Sequence, residues 1–225
     1  MRTNQNPIAR FGRLIALLWL AYFPAGVLAQ ANKFEAEIAK FEEADRKTPP
    51  PTKAVVFTGS SSIRLWENLS DAFPGHTLLQ RGFGGSELSD VRHFADRLII
   101  RYKPKQVVVY AGENDIAAGA TAEQTYNRLV DLFQYVRKAL PRAQFTFISI
   151  KPSPSRRQYR PVVDATNERI RLFLRQQRRA DFVDIVPVMI QANGEPKGEL
   201  FKSDSLHMNA NGYTLWGQVL RPFVQ

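Results

Sequence analysis

Two places in the chain hold residue types that could do nucleophilic chemistry together. Near one end, Ser60, Ser61 and Ser62 follow Gly59 directly after an apolar run. Near the other, Asp204 and His207 stand three residues apart. A Ser on a tight turn between a strand and a helix has its hydroxyl held clear of the sheet. Its backbone N–H points into a helix start, where negative charge is stabilised. Such a hydroxyl is a poor nucleophile until a base takes its proton, and His is the usual base near neutral pH. A carboxylate one turn before the His can fix the imidazole tautomer and stabilise the imidazolium. The oxyanion that then forms on a carbonyl needs aimed donors. Gly82-Phe83-Gly84-Gly85-Ser86 can supply a bare backbone N–H, and Asn114, in Gly112-Glu113-Asn114-Asp115, an amide N–H.

The same residues have plainer readings. The serines can simply cap a helix beginning near Ile63. Glu113 and Asp115 resemble a glycosidase carboxylate pair in type only, since near-neighbours in sequence do not flank one scissile bond. Asp115 is better suited to holding Asn114 by bonding backbone. Asp204 and His207 as metal ligands would need companions, and few other ligand-type residues lie near them in the chain. His76 and His93 lie outside all these stretches and read as surface or helix-face residues. Trp66 and Trp216 read as packing, whereas Phe83 sits in a functional loop and is a candidate to line an acyl site.

The elements that must position these residues alternate. An amphipathic helix over 32–47, with Phe34, Ile38 and Phe41 at helical spacing, is stopped by Pro49-Pro50-Pro51. Strands are expected at 54–58, 77–80, 106–110, 145–150 and 182–186. Helices are expected at 62–68, 89–102 (capped by Ser89), 121–140, 162–177 and 211–223. Strands apolar on both sides between helices imply a five-stranded parallel sheet in a three-layer α/β/α sandwich. Functional loops of such a sheet gather at the carboxyl ends of its strands. The Gly59, Gly82 and Gly112 stretches each follow a strand, and Asp204–His207 precedes the last helix. The loop 152–161 follows the fourth strand and carries Arg156, Arg157, Tyr159 and Arg160. It reads as a solvated rim or, more sharply, as a contact for an anionic or sugar-bearing substrate.

The chain has 225 residues, a formal charge of +10, three His and no Cys. That length suits one domain with an ordinary core. The lack of Cys excludes disulfides, thiolate nucleophiles and thiolate metal sites. Arg2, Arg10 and Arg13 precede an apolar stretch, Leu14 to Leu28, with no acid among them. This stretch is short against the ~20 residues of a spanning helix and ends in Val27-Leu28-Ala29. Residues 1–29 therefore read as a secretory signal removed after Ala29 or Ala31; an uncleaved N-terminal membrane anchor is the alternative. Cleavage after Ala29 removes three Arg and no acid, taking the charge from +10 to +7. The remaining basic residues lack the interleaved aromatics and module of a nucleic-acid binder. The expected organisation is a signal (1–29), a helix with its proline linker (30–52) and one domain (53–225). No stable membrane insertion is expected once the signal is removed.

Four blocks together resemble the SGNH (GDSL-type) hydrolase family over residues 53–222. They are Val56-Phe57-Thr58-Gly59-Ser60-Ser61-Ser62-Ile63-Arg64-Leu65-Trp66, Arg81-Gly82-Phe83-Gly84-Gly85-Ser86, Gly112-Glu113-Asn114-Asp115 and Asp204-Ser205-Leu206-His207. The first departs from the family's usual Gly-Asp-Ser, with Ser60 in place of the Asp. The resemblance implies a flavodoxin-like fold and carboxylic ester hydrolysis. It implies Ser61 as nucleophile, ahead of Ser60 and Ser62. His207 is implied as base and Asp204 as its orienter, with an oxyanion hole from Ser61, Gly85 and Asn114. It implies no metal or organic cofactor. A small-molecule or glycan ester is the expected partner. A carbohydrate O-deacetylase, a thioesterase or a non-catalytic glycan binder on the same fold stays open.

Overall fold

The computed structural model describes residues 33–225, together with Met1. The expected signal segment, 1–29, lies outside the described residues. The domain opens with α1 (Glu35–Lys47) and β1 (Val55–Gly59), followed by α2 (Ser61–Arg64), α3 (Leu69–Ala72) and β2 (Leu78–Gly82). Next come α4 (Leu88–His93), α5 (Ala95–Leu98), β3 (Gln106–Tyr110), α6 (Glu113–Ala117) and α7 (Ala122–Ala139). The last part is β4 (Gln144–Ile148), α8 (Arg160–Arg175), β5 (Ala180–Val183), α9 (Val186–Met189) and α10 (Ala210–Leu220).

The five strands form one parallel sheet in the order β2-β1-β3-β4-β5. This is the order of flavodoxin-like folds, with the reversal of direction between β1 and β3. Strand side chains alternate between two cores. Val107, Val109, Phe145 and Phe147 pack with residues of α1, α4, α7 and α8. Val108, Tyr110, Phe57 and Ile148 pack with Trp66, Met189 and residues of α10. Both faces of the sheet are therefore covered, and all strand carboxyl ends share one edge.

Two helices differ from the sequence expectation. The helix expected over 89–102 is broken at Phe94 (φ −92°, ψ 10°) into α4 and α5. The break buries the Phe94 ring edge-on against Phe83, with centroids 5.9 Å apart. Its N-terminus is closed by Glu87 and Asp90, the Glu87 N–H donating to Asp90 Oδ2 at 2.9 Å, while Ser89 is exposed. The helix expected over 62–68 shortens to α2. Gln80 Nε2 reaches over from β2 to the carbonyls of Ile63 at 2.5 Å and Trp66 at 3.0 Å, taking the place of further helical bonds.

Helix α1 packs on the domain. Ile38 is fully buried, and the Phe34 ring meets Phe83 edge-on at 5.0 Å. Arg97 bridges Glu35 and Glu42 at 2.7 Å each. A second, buried anchor lies at its far end. Buried Asp45 accepts from Arg81 Nη2 and from the Tyr102 hydroxyl, both at 2.5 Å, and Arg81 Nε donates to Tyr102 at 3.0 Å. Removing one partner leaves a cation of β2 buried without its counter-charge. Asp45→Ala is expected to cost about 3–5 kcal/mol, read as a lowered urea midpoint. A loss below about 1 kcal/mol would mean that α1 is not integral to the fold.

Candidate active site

The first block turns because Gly59 adopts φ +119°, and a Cβ there would lie 1.9 Å from the Tyr110 carbonyl oxygen. No side chain is compatible with that approach. The next N–H, of Ser60, donates to the same carbonyl at 2.9 Å, which binds the end of β1 to the end of β3. Ser61 is thereby left at the first position of α2, half-buried, with its Oγ 2.9 Å from His207 Nε2. His207 Nδ1 lies 2.6 Å from Asp204 Oδ2. A carboxylate only accepts, so Nδ1 carries the proton and Nε2 is left to accept from the Ser61 hydroxyl.

Asp204 is fixed by the turn that carries it. Its Oδ1 accepts the backbone N–H groups of Leu206 and His207, each at 2.9 Å. The turn requires Ser205 at φ +56°, a left-handed conformation that costs a non-glycine residue about 1 kcal/mol. The Ser205 carbonyl in turn accepts from Ser155 N at 3.1 Å and Oγ at 2.9 Å. The loop after β4 therefore clamps the turn. Burial alone would raise the Asp204 carboxyl, but the His207 ring and the two backbone donors outweigh it and hold it down to about 2. It is a carboxylate at neutral pH.

The oxyanion candidates lie in adjoining loops. The N–H groups of Ser61 and of Gly85 (φ +74°, exposed) meet no acceptor among the described residues. Asn114, in α6, gives one amide hydrogen to the Ser86 carbonyl at 3.0 Å, joining the third block to the second, and keeps the other. Gly84 N–H donates to Glu37 of α1 at 3.3 Å, so the N-terminal helix also steadies this loop. Asp115 holds the same region from behind. It is fully buried and accepts from Leu88 N at 3.1 Å and Arg128 Nη1 at 2.7 Å.

Beneath Asn114 lies a buried charge cluster that sequence reasoning missed. Glu113 pairs with Lys151, accepts from Ser153 Oγ at 2.5 Å and from the Tyr110 hydroxyl at 2.8 Å, and faces Arg156 Nη1 at 3.8 Å. Burial raises the Glu113 carboxyl, yet the charges of Lys151 and Arg156 outweigh this and hold it below the ordinary carboxylate range. Burial also pushes the Tyr110 hydroxyl well up, so it stays a donor. Arg156 is not the freely solvated side chain of a rim loop. Only 21% of its side chain is exposed, and Nη2 donates to Asn114 Oδ1 at 3.0 Å. The available signal was positional, because loop 152–161 follows β4 on the same edge as the four blocks.

Phe83 is a correction. Its ring is fully buried between Phe34 and Phe94 and packs the core instead of lining the cleft. The turn at Gly84 and Gly85 exposes backbone on one side and sends the preceding side chain inward. Trp66 and Trp216 are core residues, in edge contact at 6.0 Å. His93 is exposed against Phe94, and His76 lies in the loop before β2. Neither meets the Ser61–His207 pair.

A serine hydroxyl, an imidazole and a carboxylate in hydrogen-bonded sequence, beside free N–H donors, can transfer an acyl group. The GDSL-like lipase/acylhydrolase family model matches residues 54–215, which takes in all four blocks. A GDSL-like lipase from Bacteroides thetaiotaomicron has a similar structure, with a TM-score of 0.72 at 19% identity over 84% of this chain and 97% of that one. A lipase from a goat rumen metagenome aligns with a TM-score of 0.61 at 13% identity over 76% and 97%. A variant of a Geobacillus acetyl-xylooligosaccharide esterase gives 0.63 at 13% identity over 76% and 94%. At these identities the likeness is one of fold. No curated relative matches the chain. With the family model covering most of the chain, and all four of its blocks gathered at one edge of a flavodoxin-like sheet, the chain belongs to the GDSL-like lipase/acylhydrolase family.

Proposed function

We propose that this acylhydrolase is an exported serine esterase working through an acyl-enzyme on Ser61. The observation that carries the reading is the chain Ser61 Oγ–His207 Nε2–Asp204, at 2.9 and 2.6 Å. Ser61 Oγ attacks the ester carbonyl as its proton passes to His207 Nε2. The N–H groups of Ser61 and Gly85 and the Asn114 amide hold the oxyanion. The bond to the alcohol oxygen then breaks, and His207 returns the proton to that oxygen. A water molecule, deprotonated by His207, attacks the acyl carbonyl; collapse releases the acid and restores Ser61. Export rests on the arginine-bearing leader and the apolar Leu14–Leu28 run.

An arylated organophosphonate ester is expected to label the protein once per chain, with the adduct on Ser61 by peptide mass, and to leave Ser61→Ala unlabelled. A parallel panel of acetylated sugars, short and long acyl esters and thioesters would show the preferred class as the highest kcat/KM. No labelling, together with no turnover across the panel, would favour a glycan-binding protein instead.

A further inference from the structure

The guanidinium of Arg156 stands behind the amide of Asn114, and nothing in the acyl-transfer steps uses it. We propose that Arg156 is a positioning residue of the oxyanion hole: anchored on buried Glu113, it orients and polarises the Asn114 amide. The inference rests on the proposed serine-esterase reading.

Each end of the Asn114 amide has one partner that accepts only one orientation. Nδ2 donates to the Ser86 carbonyl at 3.0 Å, and Oδ1 accepts from Arg156 Nη2 at 3.0 Å. A flipped amide would set oxygen against carbonyl oxygen and NH2 against guanidinium, losing both bonds and creating two repulsions. A neutral donor to Oδ1 would hold the amide less firmly, because a bond from an ionised donor is roughly twice as strong. The cation also draws electron density through the amide toward Oδ1, making the remaining Nδ2 hydrogen a better donor to a developing oxyanion.

The anchor is built for rigidity. Glu113 precedes Asn114 in α6 and is held by Lys151, Ser153 and Tyr110, all buried, before Arg156 reaches it at 3.8 Å. Arg156 itself sits on the loop whose Ser155 clamps the Asp204–His207 turn through the Ser205 carbonyl. One loop after β4 therefore touches both the base side and the oxyanion side of Ser61.

A double-mutant cycle on a p-nitrophenyl ester tests this, with thermal melts as a folding check. Asn114→Ala is expected to lower kcat by ~10²–10³-fold. Arg156→Ala is expected to lower kcat by about 10–30-fold with KM changed less than about threefold, because the Asn114 donor that it orients acts on the oxyanion of the transition state. Arg156→Lys, which can still donate to Oδ1, is expected to regain part of that loss. In the Asn114→Ala background, Arg156→Ala should cost less than about threefold more, since its target is gone. Losses that multiply in the double variant would overturn the inference. So would an unchanged kcat, or a raised KM alone, which would make Arg156 a substrate contact. Any of these three results beside normal wild-type turnover leaves the serine-esterase reading intact. A wild type that hydrolyses no ester would overturn both.

Discussion

Ser61→Ala is expected to lower kcat by roughly 10⁴–10⁶-fold, while Ser60→Ala and Ser62→Ala stay within about tenfold of wild type. The three serines are chemically equal in sequence and differ only in placement. Ser61 Oγ is the hydroxyl 2.9 Å from His207 Nε2. Ser60 is 3% exposed and acts through its backbone, its N–H on the Tyr110 carbonyl and its carbonyl accepting from Ile63 and Arg64. Ser62 is 1% exposed, and its carbonyl accepts from the Tyr213 hydroxyl at 2.9 Å. Removing either of those hydroxyls leaves these backbone bonds in place. Rates on an activated ester, measured against buffer and with melting curves for each variant, decide the matter. A Ser61→Ala protein within a hundredfold of wild type, or a Ser62→Ala protein that is dead but folded, would move the nucleophile.

The sheet was legible because its central strands are apolar on both faces. The run Gln106–Tyr110 coincides with β3 at both ends, since every residue in it is buried. At β2 the pattern is weaker, with Gln80 and Arg81 in the strand, and the expectation missed its end at Gly82. Arg81 is tolerated there because Asp45, from α1, neutralises it, and nothing local in sequence announces that partner. The broken helices are the same kind of miss, because Phe94 and Gln80 answer to tertiary neighbours and not to local periodicity.

The site divides similarly. Ser61, Asp204 and His207 could be named because they stand in short blocks that resemble the family's, and that resemblance singled out Ser61 among three serines. The Glu113–Lys151–Arg156 cluster could not, because Glu113 opens α6 after β3 while Lys151 and Arg156 follow β4, and the β3–β4 pairing brings these distant stretches together. Phe83 shows the opposite limit. Sequence identified its loop correctly but could not tell which side of a glycine turn the ring would take.

Asp204→Asn should be the sharpest probe of the imidazole, with kcat down about 10⁴-fold at neutral pH and KM little changed. The side chain is the same size, so what changes is which atom faces His207. Oδ1 already accepts from Leu206 N and His207 N at 2.9 Å, and an asparagine would keep its oxygen there to preserve both bonds. Its NH2 must then face His207 Nδ1 across the 2.6 Å contact. Two donors cannot share that contact, so Nδ1 gives up its proton and Nε2 takes one. Nε2 now offers a hydrogen to Ser61 where it must accept one, and the hydroxyl loses its base. In the wild type the Asp204 carboxyl is held down to about 2, so it contributes no limb to the pH–rate profile between pH 4 and 9. The loss in Asp204→Asn therefore reports the tautomer and not a shifted titration. If the folded variant kept kcat within tenfold of wild type, His207 would be choosing its tautomer without Asp204, and a Ser–His pair alone would have to account for the chemistry.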